Sequence, residues 1–172
     1  MMDLSVHVDL SALGTLALRF PRLTYVEVRR AMYECVISVS RSVKKSMPAV
    51  TGFMRASVSW TVQYDQSTGM FEGKVFSQVP WVKPFEEGIR PGKWPNVGWM
   101  EAWAEEKAKR HSFIREMTPK RFAFVVARKI KRKGLKGRWV FRDVFRALRP
   151  YIEGRLSAAV TRIAARANKG AK

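Results

Sequence analysis

Apolar and polar residues alternate at the start of the chain, with Leu4, Val6, Val8 and Leu10 on one side and Ser5, His7 and Asp9 on the other. A period of two predicts a half-buried strand with His7 toward solvent. The apolar stretch 10–18 has room for a helical turn or two, weakened by Gly14 and closed by Pro21. From Thr24 the period lengthens. Val28, Met32, Cys35, Val36, Val39 and Val43 recur at spacings of three and four, and Thr24 with Glu27 forms a capping box. An amphipathic helix is expected from Thr24 to Met47-Pro48, with Arg29, Arg30, Glu34, Arg41 and Lys44 on its solvated face.

The middle of the chain reads as β. Segments 56–64 and 70–77 flank Asp65-Gln66-Ser67-Thr68-Gly69, a turn-rich connection that predicts a hairpin. Segment 79–88 adds a strand or leads out of the sheet, and the prolines and glycines of IRPGKWPNVGW make a loop. Helical spacing returns at 97–110. Thr118-Pro119 is a cap with proline at the first helical position, and Phe122, Val125, Val126 and Ile130 line one face until Gly134. After the KGLKG link, Phe141, Val144, Phe145, Leu148, Ile152, Leu156, Val160 and Ile163 give the longest helical pattern, which Pro150 should kink or divide. The reading is a single α+β domain over 1–167, in which an antiparallel, hairpin-based sheet packs against a long N-terminal helix and C-terminal helices follow. The basic helical part spans 118–167, and 168–172 is expected to be a flexible tail.

Composition removes several classes of function. The 172 residues are 47% hydrophobic, enough for one core. The single cysteine, Cys35, excludes an internal disulfide framework, and with only His7 and His111 no Cys/His zinc cluster assembles. Cys35 lies on the apolar stripe and reads as a buried, inert thiol. The longest runs without charge are nine residues (10–18, 46–54 and 56–64), too short to span a membrane, and Asp3 and Asp9 stand where a signal peptide carries basic residues. A soluble, intracellular protein without cofactor is expected.

Charge changes the picture most. Lys and Arg number 33 against 14 Asp and Glu, a formal +19, divided as +3 over 1–50, +1 over 51–117 and +15 over 118–172. Arg128, Lys129, Lys131, Arg132, Lys133, Lys136 and Arg138 crowd into eleven positions. A basic face of this kind meets phosphates or an acidic partner. No helix-turn-helix accompanies it, so sequence-specific reading is not expected.

Other candidate chemistry is thin. Glu86-Glu87 raises a metal-dependent nuclease, but nothing in the spacing selects the lysine or histidine that such a site usually adds. Glu101 and Glu105 read as helix surface, and His111 as a solvated residue of an interhelix link. Trp81, Trp94, Trp99 and Trp103 lie within 23 residues. They read as core or subunit contact in preference to a surface that stacks bases.

Two segments carry a resemblance. AVTGFMRASV at 49–58, directly after a long helix ending in proline, resembles the P-x-D-T-G-x-L-R-x-S-I signature of the tail-component proteins of long-tailed bacteriophages, a family that includes tail-completion and neck (head–tail joining) proteins. Thr51, Gly52, Arg55 and Ser57 match, while Val50 replaces the aspartate and Met54 the leucine. VPWVKPFEEGIRPGKWP is similar to V-x-Y-A-x-x-V-E-F-G-T-x-x-x-x-P, with Trp81 at the tyrosine, Glu86 or Glu87 at the glutamate and Gly88 at the glycine. Residues 122–145 are similar to the family's I-A-R-K-I-x-x-x-G-x-K-G-x-x-F-F region.

The resemblance implies a structural virion protein, without catalysis, assembled in the host cytoplasm as a homo-oligomeric ring, often hexameric. Its partners would be the connector or stopper on one side and tail-tube or terminator proteins on the other, with nonspecific contact to genome DNA. A tail terminator and a tail-completion protein look alike at this level. The matched residues would be structural, Trp94, Trp99 and Trp103 candidate interface residues, and the cations at 128–138 contacts to DNA or an acidic ring. A nonspecific nucleic-acid-binding protein is the alternative.

Overall fold

The computed structural model describes residues 2–9, 15–48, 52–110 and 117–170. Along the chain these form β1 (Met2–Asp9), α1 (Thr15–Arg19), α2 (Pro21–Ser46), α3 (Phe53–Ala56), β2 (Val58–Asp65) and β3 (Met70–Ser77). There follow α4 (Val82–Glu87), β4 (Gly88–Ile89), α5 (Val97–Arg110), α6 (Pro119–Lys133), β5 (Leu135–Lys136) and α7 (Val140–Gly170). The class is α+β as expected: an antiparallel three-stranded sheet, a long helix near the N-terminus and C-terminal helices. Among the described residues no helix is long and apolar enough to cross a membrane.

The chain separates into two compact units, each discontinuous in sequence. The first to be described comprises residues 3–45, 58–76 and 141–172. Its sheet has the order β1-β3-β2, so the hairpin strand β3 is central. Phe71 and Val75 point inward along β3, and Phe71 joins Val28 and Met32 of α2 and Ile163 of α7 in the core. Val6 and Val8 of β1, Val62 and Tyr64 of β2, and Leu156 of α7 close around them. Helix and sheet approach closely at Gly73, where a Cβ would lie 2.8 Å from Val36 Cγ1 and 2.9 Å from Met32 Cε. The hairpin turn is held by Asp65, whose Oδ1 accepts from Ser67 N (2.9 Å) and Ser67 Oγ (2.7 Å) and whose Oδ2 accepts from Thr68 Oγ1 (2.9 Å). The Ser67 hydroxyl above all holds the Asp65 carboxyl below its ordinary pKa.

The second unit comprises residues 1–2, 46–57 and 77–140. Here α5 and α6 pack against each other through small residues. Ala104 of α5 and Ala123 and Ala127 of α6 are fully buried, which lets the backbones approach, and Trp103 stacks on Phe122 with ring centroids 5.6 Å apart. β4 and β5 pair antiparallel, Gly88 opposite Lys136 and Ile89 opposite Leu135.

Several expectations need correction. Helix α2 begins at Pro21, and Thr24 N–H already donates to the Phe20 carbonyl (3.0 Å), so Thr24 and Glu27 lie inside the helix and make no capping box. Proline serves at the first helical position because that N–H has no partner in a helix. Segment 79–88 is a short helix followed by a two-residue strand, and KGLKG contains the other strand of that pair. Pro150 does not divide α7; it and Arg146, whose carbonyl loses its helical donor, are both exposed. Val125 is half exposed, and the buried stripe of α6 runs through Ala123 and Ala127 with Phe122, Val126 and Ile130 at its margins. Helix α7 ends at Gly170. The expectations for Thr51, for His111 and for residues 10–14 fall outside the described residues.

Candidate functional site

The residues that carry the family resemblance make backbone-directed contacts. Gly52 adopts φ +68°, open to glycine at little cost, and opens the turn into α3. Arg55 Nε donates to the Met47 carbonyl (2.8 Å), satisfying an oxygen just past the end of α2. Ser57 Oγ donates to the Met54 carbonyl (2.8 Å) and shares a 2.9 Å hydrogen bond with Ser77 Oγ.

The second motif closes on the KGLKG link. Glu86 is wholly buried, and its Oε1 accepts the Val140 N–H at 2.9 Å, the first helical position of α7. Around it Arg138 N donates to the Phe85 carbonyl (3.0 Å) and Trp139 N to the Glu86 carbonyl (3.2 Å). A side chain at Gly88 would overlap the Leu135 carbonyl oxygen, and one at Gly137 would overlap that of Glu86. Glu87 is exposed, so the adjacent pair does not converge on one point. Among the described residues no three His, Cys, Asp or Glu side chains gather to hold a metal. Trp81, half-buried, precedes α4 and accepts Phe85 N–H through its carbonyl (3.2 Å).

The basic cluster is the exposed chemistry of this unit. Thr118 caps α6, accepting Arg121 N–H at 3.4 Å, and Gly134 at φ +75° ends it. Opposite the buried Ala123/Ala127 stripe the helix carries Val125, Arg128, Lys129 and Arg132, with Phe124 and Lys133 on its flanks and Lys131 at the end of the stripe, all exposed. Residues 117–142 hold ten Lys or Arg and no Asp or Glu. Lys131, Arg132 and Lys133 complement the carbonyl end of the helix. Among the described residues Arg128, Lys129, Lys131, Arg132 and Lys133 form no ion pair.

The loop after β4 is pinned onto this helix. Gly92 N–H donates to the Lys131 carbonyl at 2.7 Å, which brings Trp94 beside α6. Lys131 Nζ sits 4.9 Å from the centre of the Trp94 ring, and the Phe124 ring lies 5.6 Å from it, tilted by 30°. Trp94 is 46% exposed and Phe124 and Val125 50% each, so this tryptophan stands outside the core. A surface depression of 710 Å³ is lined by Gly92, Val125, Arg128, Lys129, Lys131 and Arg132. Lys136 and Arg138 are exposed but do not line it. Trp103 is committed to the α5–α6 contact, and the Trp99 side chain is outside the described residues. Phe124 and Gly92 were not legible as part of this face, since the first counts as a core aromatic by type and the second as a turn residue.

The other half of the C-terminal charge behaves differently. Arg162 Nε donates to Glu27 Oε2 (2.8 Å) and Arg166 to Glu27 Oε1 (2.6 Å), Arg155 pairs with Glu34 (3.3 Å), and Arg149 with Glu153 (2.8 Å). Tyr151 OH accepts from Ser38 Oγ (3.2 Å) and Arg155 Nε (3.2 Å); the Ser38 bond is the larger cause of its lowered pKa. Cys35 is buried here, its thiol pushed up to about 11 chiefly by desolvation.

Comparison with known proteins returned no match: no family model matches the chain, and no curated protein or solved structure does either.

Proposed function

We propose that the chain is a structural subunit of an oligomeric ring in the neck or tail of a long-tailed bacteriophage, completing the tail or joining it to the head connector. One observation carries the reading. Among the residues that resemble the phage tail-component signatures, Arg55, Ser57 and Glu86 hydrogen-bond main-chain groups, Gly52 and Gly88 take positive φ, and a side chain at Gly88 would overlap the Leu135 carbonyl oxygen. Residues tied to the backbone in this way support a likeness of fold, and in the family that they resemble the fold serves assembly. In this role the chain performs no reaction, and its partners are copies of itself, the connector or stopper, and the tube or terminator. Exposed apolar residues such as Leu18 and Val26, 83% and 50% exposed, supply contact surface for a head-to-tail ring.

Light scattering coupled to size exclusion, over a range of protein concentration, tests the ring, and mass spectrometry of purified particles of the encoding phage tests its place. A closed oligomer and a stoichiometric presence in particles are expected. A monomer at every concentration together with absence from particles overturns the proposal.

A further inference from the structure

We propose that the outer side of α6, with the loop carrying Trp94, is a docking groove for single-stranded nucleic acid. The groove is complete within one chain and does not depend on the ring reading.

Three observations converge on this occupant. Arg128, Lys129, Lys131 and Arg132 line the groove, none of them forms an ion pair among the described residues, and no acidic residue occurs between 117 and 142. A polyanion is therefore the complementary ligand, bound through phosphates with release of counterions. The groove is also partly apolar, because Val125 forms part of its lining while Phe124 and Trp94 stand half exposed next to it. A solvated basic face has no need of three exposed apolar side chains among its cations. Finally, the aromatic edge is held in place, since Gly92 N–H is bonded to the Lys131 carbonyl and Lys131 Nζ lies over the Trp94 ring. A duplex keeps its base faces stacked inside and offers nothing for Phe124, Trp94 and Val125. A single strand presents phosphates and base faces together, the combination of charge and stacking surface found here. Arg128 and Arg132, one turn apart, are spaced about 6 Å along the helix axis, so they can follow consecutive parts of one strand.

The test is fluorescence anisotropy with the full chain, using labelled oligothymidylate, a duplex of the same length, and polyglutamate, each over a series of NaCl concentrations. Oligothymidylate is expected to bind tightest and to quench tryptophan emission. That quench should be lost in Trp94→Leu. Trp94→Leu with Phe124→Ala should weaken binding on the order of tenfold. Arg128→Gln with Arg132→Gln should reduce the slope of log K against log salt by about 1.4. These side chains are exposed, and circular dichroism of each variant checks that the fold persists. Duplex binding as tight as the single strand with Trp94 silent overturns the proposal in favour of a plain phosphate surface. Tighter binding of polyglutamate overturns it in favour of an acidic protein, and no binding at low salt overturns it outright.

Discussion

Glu27 shows how a residue type can be right and its role unreadable. Its position three residues after Thr24 has the spacing of a capping box, yet the carboxylate is only 2% exposed and receives Arg162 and Arg166 from α7. Those partners are 135 and 139 residues away in sequence, beyond any local pattern. The Arg162 hydrogen bond, more than any other cause, holds the Glu27 carboxyl below its ordinary pKa despite its burial. A carboxyl whose pKa is lowered on folding stabilises the native state above its unfolded value and loses that contribution as pH falls through the folded value. Glu27→Gln should therefore cost about 1–3 kcal/mol at neutral pH, below the figure for a fully buried pair because both arginines reach solvent. Urea unfolding of both proteins from pH 7 downward checks this. The gap should hold until about pH 4 and close below it. A gap that is constant with pH would remove ionisation as its cause.

Glycines make the same point by contrast. Gly88 at φ +82° and Gly137 have carbonyl oxygens where a Cβ would go, whereas Gly52 at φ +68° has open space. Gly88→Ala and Gly137→Ala should each destabilise by about 2–3 kcal/mol or abolish folding, while Gly52→Ala pays only the left-handed backbone term of about 1–2 kcal/mol. Thermal unfolding of the three variants separates the two groups. In the sequence Gly52 and Gly88 stand out only as matches to the resembling signatures and Gly137 only as part of the KGLKG link; the β4–β5 pairing is what distinguishes them.

At the scale of elements, periodicity and caps located most of the chain. Helix 97–110 and the Thr118–Gly134 helix stand where the pattern put them, because their signals are local: helical spacing for the first, and a cap, a first-turn proline and a terminal glycine for the second. The faces of those helices were less legible. Val125 and Val126 are adjacent valines, and the position of the α5 helix decides that the first is exposed. Pro150 is a case where tertiary packing overrides propensity, since α7 continues through it with Ile152, Ala159 and Ile163 buried. An exposed proline in a helix interior still carries its local penalty. Pro150→Ala should raise unfolding free energy by about 1–3 kcal/mol, measured by urea titration, and a loss of stability would mean that the proline sets a bend the packing requires.

For the whole molecule the question is where +19 charges go. The C-terminal excess divides into two kinds. Arg149, Arg155, Arg162 and Arg166 meet carboxylates in their own unit, whereas the cations of α6 meet none among the described residues. The isolated chain should be strained by self-repulsion, so its thermal midpoint should rise between roughly 20 and 200 mM NaCl as the Debye length contracts. A midpoint that falls with salt would mean that the internal ion pairs outweigh the repulsion. The same accounting explains why composition pointed at an anionic partner without naming one. Charge is additive along a sequence, but its compensation is a matter of distances.

Strand alternation, the heptad-like stripe of α2, the hairpin turn at Asp65–Gly69 and the capped α6 helix follow from the order of residues, because each rests on contacts within a few positions. Folding alone decided that Glu27 clamps two arginines, that Glu86 turns inward to the Val140 N–H, and that Trp94 lies outside beside Lys131 and Phe124. Those outcomes depend on which segments, far apart in the chain, are brought within hydrogen-bonding or stacking distance, and no local period encodes that.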